Sequence, residues 1–166
     1  MSGTSLFRTL LAKEDFKFSC AHFTVFSAAE AEPLHGHNYR VAVEVEGEAL
    51  DDLDFLVEFG PVKKRIRELC DSLDESVLLA EQCSLYSVED EGSSVTVRYS
   101  SRTYTLPSDE VRLLPLRNIT VEGLARFLWT ELSPTLEGTL VKRLSVQIGE
   151  TPGQASLYVA DVDAAS

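Results

Sequence analysis

Basic residues are scarce in this chain. Fifteen Lys and Arg stand against 27 Asp and Glu in 166 residues, a formal charge of −12 with His neutral. That balance works against a nucleic-acid backbone or an anionic membrane as the main partner, because both are polyanions. It leaves room for a small anionic ligand held by one local basic or metal site. Cysteine is also sparse: Cys20, Cys70 and Cys83 are odd in number and lack C-x-x-C spacing. A disulfide framework or a Cys-rich zinc site is therefore disfavoured, and reduced thiols in a cytoplasmic protein fit better. No apolar run approaches the roughly 18 residues that a membrane span needs. The opening segment, MSGTSLFRTLLAKEDF, has no long apolar core and reads as neither signal peptide nor anchor. Nothing repeats at a fixed period, so a solenoid is not indicated. What remains is globular usage, 44% hydrophobic and 25% charged, in a length that suits one compact domain over residues 1–166.

Hydrophobic periodicity divides the chain. Residues 16–23 alternate well enough for a strand, with Phe16, Phe18, Cys20 and His22 on one face. The small and acidic stretch from Ser27 to Glu32 ends at Pro33 and reads as a loop. Residues 39–46 form a clean strand with Tyr39, Val41, Val43 and Val45 on one side, followed by an acidic turn over 47–54. A helix is predicted from about Pro61 to Leu73, since Pro suits a first helical position and Val62, Ile66, Leu69 and Leu73 make an apolar stripe. Lys63, Lys64, Arg65 and Arg67 lie largely off that stripe, as on a solvated face. Residues 84–106 resemble a hairpin: 85–88 and 95–99 flank a turn at 90–93, and 103–106 extend the second arm. A second helix starts after Thr120 as N-cap and ends near Ser133 and Pro134. Strands at 144–148 and 155–159 follow. Strands in consecutive pairs with two helices between them predict an α+β domain, an antiparallel sheet with both helices on one face.

The chemistry is concentrated early. The only three His are His22, His35 and His37, all within sixteen residues. His35 and His37 flank Gly36 on extended backbone, so both side chains point the same way. His22 comes from the neighbouring strand. Three imidazoles with a fourth position open are the donor set of a catalytic zinc site, and also suit iron or copper. Three unrelated His, two of them beside a turn, would carry the same letters. A cupin also begins with H-x-H, but it needs a glutamate three or four residues on and a later His; here Arg40 and Val41 stand there and no His follows His37.

Several blocks together resemble a known family. They are Phe18 to His22, Leu34 to Tyr39, Leu56 to Phe59, Leu73–Asp74, Thr120 to Glu122 and Gly149 to Thr151. In that order they look like 6-pyruvoyltetrahydropterin synthase and its relative 6-carboxytetrahydropterin synthase, over roughly residues 14–160. The resemblance implies a tunnelling fold, with a homohexamer built as a dimer of trimers and sites between subunits. It implies zinc on His22, His35 and His37, and a small-molecule pterin substrate, 7,8-dihydroneopterin triphosphate. Glu150 matches the family's pterin anchor, and a carboxylate does accept two parallel N–H bonds from a guanidine-like edge. Thr120 and Val121 match a segment that contacts the pterin from the adjoining subunit. An acid at a strand end is also an ordinary surface residue.

The match breaks where the family keeps its thiol, a few residues before the His pair. No Cys occurs there, and Glu75 stands where a relay His follows the Leu–Asp pair, so of the usual relay only Asp74 remains. One branch of the family is similar in placing a glutamate three residues before the first His of the pair, as Glu32 is here, and in inserting a hairpin before the second helix. Its members cleave the side chain by a retro-aldol step to 6-hydroxymethyl-7,8-dihydropterin. The expected catalytic set is accordingly Glu32, Asp74 and Glu75, with Glu30 as understudy to Glu32 and Cys20 as a thiol on the His22 face. Formation of 6-carboxytetrahydropterin or 6-pyruvoyltetrahydropterin, in folate or queuosine biosynthesis, is the alternative. A pterin-binding paralogue without turnover, or a zinc hydrolase, is also compatible with the pattern.

Overall fold

The structure is a computed structural model that describes residues 6–162. Residues 1–5, the start of the segment tested above for a leader, and 163–166, the end of the expected domain span, lie outside that range. The elements in chain order are β1 (Phe7–Leu11), β2 (Lys17–His22), β3 (His35–Gly47), α1 (Phe59–Leu73), β4 (Ser76–Ala80), β5 (Ser87–Asp90), β6 (Ser94–Tyr99), β7 (Arg102–Pro107), β8 (Val111–Leu114), α2 (Val121–Leu132), β9 (Arg143–Thr151) and β10 (Gln154–Asp161). The main sheet has seven strands in the order β10-β9-β3-β2-β4-β8, with β1 pairing the far end of β3. A second sheet holds β5-β6-β7.

The strand alternation has a plain cause. Phe16, Phe18, Cys20 and His22 are buried, and so are Tyr39, Val41, Val43 and Val45. These two rows share one face and meet the buried stripes of the helices: Val62, Ile66, Leu69, Cys70 and Leu73 from α1, and Leu124, Ala125, Leu128, Trp129 and Leu132 from α2. Each large apolar side chain among them contributes about 1.5–3 kcal/mol by leaving water. Trp129 adds a polar tie, its Nε1–H donating to the Leu144 carbonyl at 2.9 Å. Thr120 caps α2 as expected, accepting the Gly123 N–H at 3.1 Å. The basic run on α1 is mostly solvated, but Arg65 reaches Glu131 at 3.0 Å and ties the two helices together.

Three expectations need correction. The sheet is antiparallel from β10 through β2, but β4 pairs β2 in parallel and β8 pairs β4 in parallel. Both β4 and β8 are short and mostly apolar, without the alternation that marks a strand, and neither they nor β1 are among the expected strands. The inserted segment is a three-stranded sheet, not a hairpin with one long arm. Ser100, with φ 52°, turns the chain back, and β7 pairs β6 from Tyr99 opposite Arg102 to Ser94 opposite Pro107. Helix α1 begins at Phe59, so Pro61 is its third residue; its missing N–H still falls among those with no intrahelical acceptor.

Candidate functional site

Strand pairing assembles the histidines. In the β2–β3 register His22 lies opposite His35, and Cys20 opposite His37. The period of two then puts His22, His35, His37 and Tyr39 on one side. Ring centroids are 4.9 Å apart for His22 and His35, 5.3 Å for His22 and His37, and 4.7 Å for His35 and His37. One ligand nitrogen from each ring lies within 4.8 Å of the others. His35 Nδ1 is 2.8 Å from the Pro33 carbonyl, an acceptor only, so Nδ1–H donates there and Nε2 is the ring nitrogen left to serve as a ligand. His22 is buried and its Nδ1 has no partner among the described residues. An orphaned buried nitrogen beside two further imidazoles fits a divalent metal, which accepts neutral imidazole lone pairs. His22 is suited to that state. Burial, followed by the neighbouring His35 and His37, lowers its pKa to about 4.

Glu150 joins this group from β9. Its Oε1 is 3.1 Å from His37 Nε2 and accepts from the Tyr39 hydroxyl at 3.2 Å, while Oε2 accepts from Gln154 at 2.6 Å. Tyr39 also meets His22 Nε2 at 2.9 Å, so one hydroxyl bridges the histidine cluster to the carboxylate. Burial, then the Glu150 charge, pushes the Tyr39 phenol well above its ordinary value, so it stays protonated. Tyr39 belongs to the Leu34–Tyr39 block but has no role among the expected site residues. Its position two residues past His37, on the same face, is the signal in the sequence that points to one. Glu150 lines an open hollow of about 670 Å³ with Cys20, His37 and Glu75. A planar ligand pairing with both carboxylate oxygens has to displace one present partner, and exposed Gln154 is the one on the solvent side.

Glu32 lies at the other side of the cluster. Its Oε2 is 3.9 Å from His35 Nε2 and accepts from the Thr24 backbone N–H at 3.2 Å. Glu30 is exposed at the loop tip, where its carbonyl accepts from Phe26 and Ser27 N–H. Asp74 caps the end of α1 and accepts from the Ser19 N–H at 2.6 Å, while Glu75, with φ 52°, is exposed at the hollow's rim. Cys20 also lines the hollow, but burial, followed by the Asp74 charge, pushes its thiol up to about 12. Such a thiol holds its proton at neutral pH and is a poor base or nucleophile. Thr120 lines a different hollow, with Arg117 and Arg126, and neither it nor Val121 shares a hollow with Glu150 in this chain.

Comparison with known proteins agrees with this geometry. A family model described as 6-pyruvoyl tetrahydropterin synthase matches residues 11–161. A Methanocaldococcus jannaschii protein, provisionally named 6-carboxy-5,6,7,8-tetrahydropterin synthase, is 31% identical over 145 residues, covering 86% of this chain and 88% of that protein. Among solved structures, 6-pyruvoyl tetrahydropterin synthase from Plasmodium vivax superposes with a TM-score of 0.88 at 22% identity, over 95% of this chain and 99% of that one. A catalytic-residue variant of the Plasmodium vivax enzyme, glutamate to alanine, gives a TM-score of 0.86 at 22% identity with the same coverage. With the family model matched over nearly all the described residues and the same fold in its solved structures, the chain belongs to the 6-pyruvoyl tetrahydropterin synthase family.

Proposed function

We propose that this protein is a zinc-dependent lyase that cleaves the side chain of 7,8-dihydroneopterin triphosphate to 6-hydroxymethyl-7,8-dihydropterin. The observation that carries the reading is Glu32: a carboxylate beside the histidine cluster, where the one neighbouring thiol, Cys20, is kept protonated by burial. A glutamate is also the catalytic residue replaced in the Plasmodium vivax variant. His22, His35 and His37 would hold the zinc, which as a Lewis acid makes the side-chain hydroxyls easier to deprotonate. Glu150 would pair with the N2–N3 edge of the pterin and fix the ring. Thr120 and Val121 would close over it from a neighbouring copy in a hexamer, consistent with their separation from Glu150 within one chain.

Glu32 then acts as general base. It takes the proton of the hydroxyl on the second side-chain carbon. The bond between the first and second carbons breaks, the second carbon becomes an aldehyde, and the bonding pair passes into the conjugated ring. Protonation at the first carbon leaves the hydroxymethyl group. Glu75, at the hollow's rim, and its neighbour Asp74 are the remaining candidates for proton delivery; Asp74 is held by Ser19, so Glu75 is the freer of the two. Glu32→Ala should lower kcat by roughly 10²–10⁴-fold, the usual worth of a general base. Zinc content should stay near one per subunit by atomic absorption. Full turnover in that variant rejects the assignment.

A second reading, formation of 6-carboxytetrahydropterin, is favoured by the name of the Methanocaldococcus jannaschii relative. Incubation with 7,8-dihydroneopterin triphosphate and product analysis by fluorescence and mass separates the two.

A further inference from the structure

Glu32 belongs to a connection that leaves the main sheet after β2 and returns at β3. This stretch holds the carboxylate by one bond, from the Thr24 N–H at 3.2 Å. Its tip, residues 26–30, is exposed. Its own cross-links are local: Val25 bridges Ala31, the Glu32 N–H donates to the Thr24 carbonyl at 2.9 Å, and the Phe26 and Ser27 N–H groups donate to the Glu30 carbonyl at 2.9 and 3.1 Å. From outside, the Asn118 side chain holds both the N–H and the carbonyl of Val25. A base that must sit within hydrogen-bond reach of one hydroxyl needs firmer placement, because an error of about 1 Å can cost 10²-fold in rate.

The inserted sheet adds to that placement on the side of the loop that bears Glu32. Arg102, the first residue of β7, donates from one guanidinium nitrogen to the Glu32 carbonyl at 2.7 Å and from the other to the Ala31 carbonyl at 3.2 Å. Tyr99, at the end of β6, donates its hydroxyl to the Ser27 carbonyl at 2.8 Å. The Arg102 guanidinium lies 5.8 Å from the Tyr99 ring centre, so the two groups brace each other. Beneath them Phe23, Val25 and Ala31 pack into a second apolar cluster with Val95, Val97 and Tyr99. The turn is thus gripped on both flanks, and the fork on Glu32 acts on the very residue that bears the carboxylate. A guanidinium is well shaped for this grip. Its planar donors reach two adjacent carbonyls at once, and charge-assisted bonds are about twice as strong as neutral ones.

The geometry points to Arg102 as a positioning residue for Glu32, and to the inserted sheet as the support of the catalytic loop. The catalytic half of this statement rests on the proposed role of Glu32; the clamp itself does not. Arg102→Gln in the full-length, zinc-loaded protein removes the charged fork. Hydrogen exchange of the peptide spanning residues 24–34 should accelerate roughly tenfold or more while α2 peptides stay protected. The kcat should fall roughly 10- to 100-fold with KM changed little, since Glu150 still holds the ring. Arg102→Lys, which can reach one carbonyl, should retain part of the activity, and guanidinium ion at a non-denaturing concentration should restore part of it to Arg102→Ala. Should Arg102→Gln fail to fold, Tyr99→Phe removes only the bond to Ser27 and should loosen the same peptide. Unchanged exchange over residues 24–34 in every folded variant overturns the clamp. Accelerated exchange with unaltered kcat, while Glu32→Ala is inactive, overturns its catalytic use. If Glu32→Ala is itself active, the role of Glu32 has failed, and the exchange result alone decides the clamp.

Discussion

Two side chains show how burial sets chemistry at the scale of single residues. His22 is neutral at physiological pH because its folded pKa, about 4, lies below the ordinary imidazole value. In the metal-free protein the unfolded chain therefore binds the extra proton first. Its contribution to stability is full above about pH 6.5, and it is lost as pH falls through the folded value near 4. The expected loss is on the order of 1–3 kcal/mol. Urea unfolding of chelator-treated protein at stepwise lower pH should show it, and NMR titration should place the His22 ring well below a free imidazole. A ring titrating near the ordinary value contradicts the burial argument. The thiols give a parallel case. Cys20 and Cys70 are buried and both are pushed up to about 12, chiefly by burial, whereas Cys83 is only partly covered. Brief treatment of the native protein with iodoacetamide should label Cys83 first and leave the other two unmodified by mass spectrometry. Rapid labelling of Cys20 that substrate blocks would restore it as a candidate for the chemistry.

Among the elements, β3 is the one on which the site depends. Its thirteen residues pair with β2 through the histidines, with β9 through the centre and with β1 at the far end. Gly47 closes it under tight constraint: a Cβ there would meet the Leu140 carbonyl oxygen at 2.6 Å and, closer still, a Leu56 methyl. The leucine can shift, but the carbonyl is backbone. Gly47→Ala should therefore cost about 1–3 kcal/mol, an overpacking penalty readable by urea unfolding. A neutral result would mean that the chain around Leu140 yields easily. The same element marks the limit of sequence reading. The alternation of 39–46 is visible in the letters, but the strand starts four residues earlier, at His35, so the extended H-x-H motif and the alternating stretch are one strand. Strand β4 is hidden for a different reason: parallel neighbours and burial on both faces remove the polar–apolar rhythm. Strand β8, four residues long, is too short to show a period.

For the molecule as a whole, the sheet ends in two edge strands that have no further strand beside them among the described residues. Strand β10 lies at one with Leu157 57% and Val159 45% exposed, and β8 at the other with Leu113 41% exposed. Uncovered edges with apolar side chains favour pairing with further copies. Light scattering should give three or six times the 18.4 kDa chain mass. A monomer that turns substrate over would refute a site completed between subunits.

The histidine cluster is legible in the letters alone, because two neighbouring strands and a period of two place His22, His35 and His37 together with little help from elsewhere. The helices are legible too, through their apolar stripes and the Thr120 cap. Glu150 is reached only by resemblance, since its meeting with Tyr39 depends on β9 pairing β3 across some hundred residues of chain. The grip of Arg102 on the Ala31 and Glu32 carbonyls comes from the tertiary arrangement and from nothing else. A side chain bonding to distant backbone leaves no pattern in the letters, because any residue type offers a carbonyl.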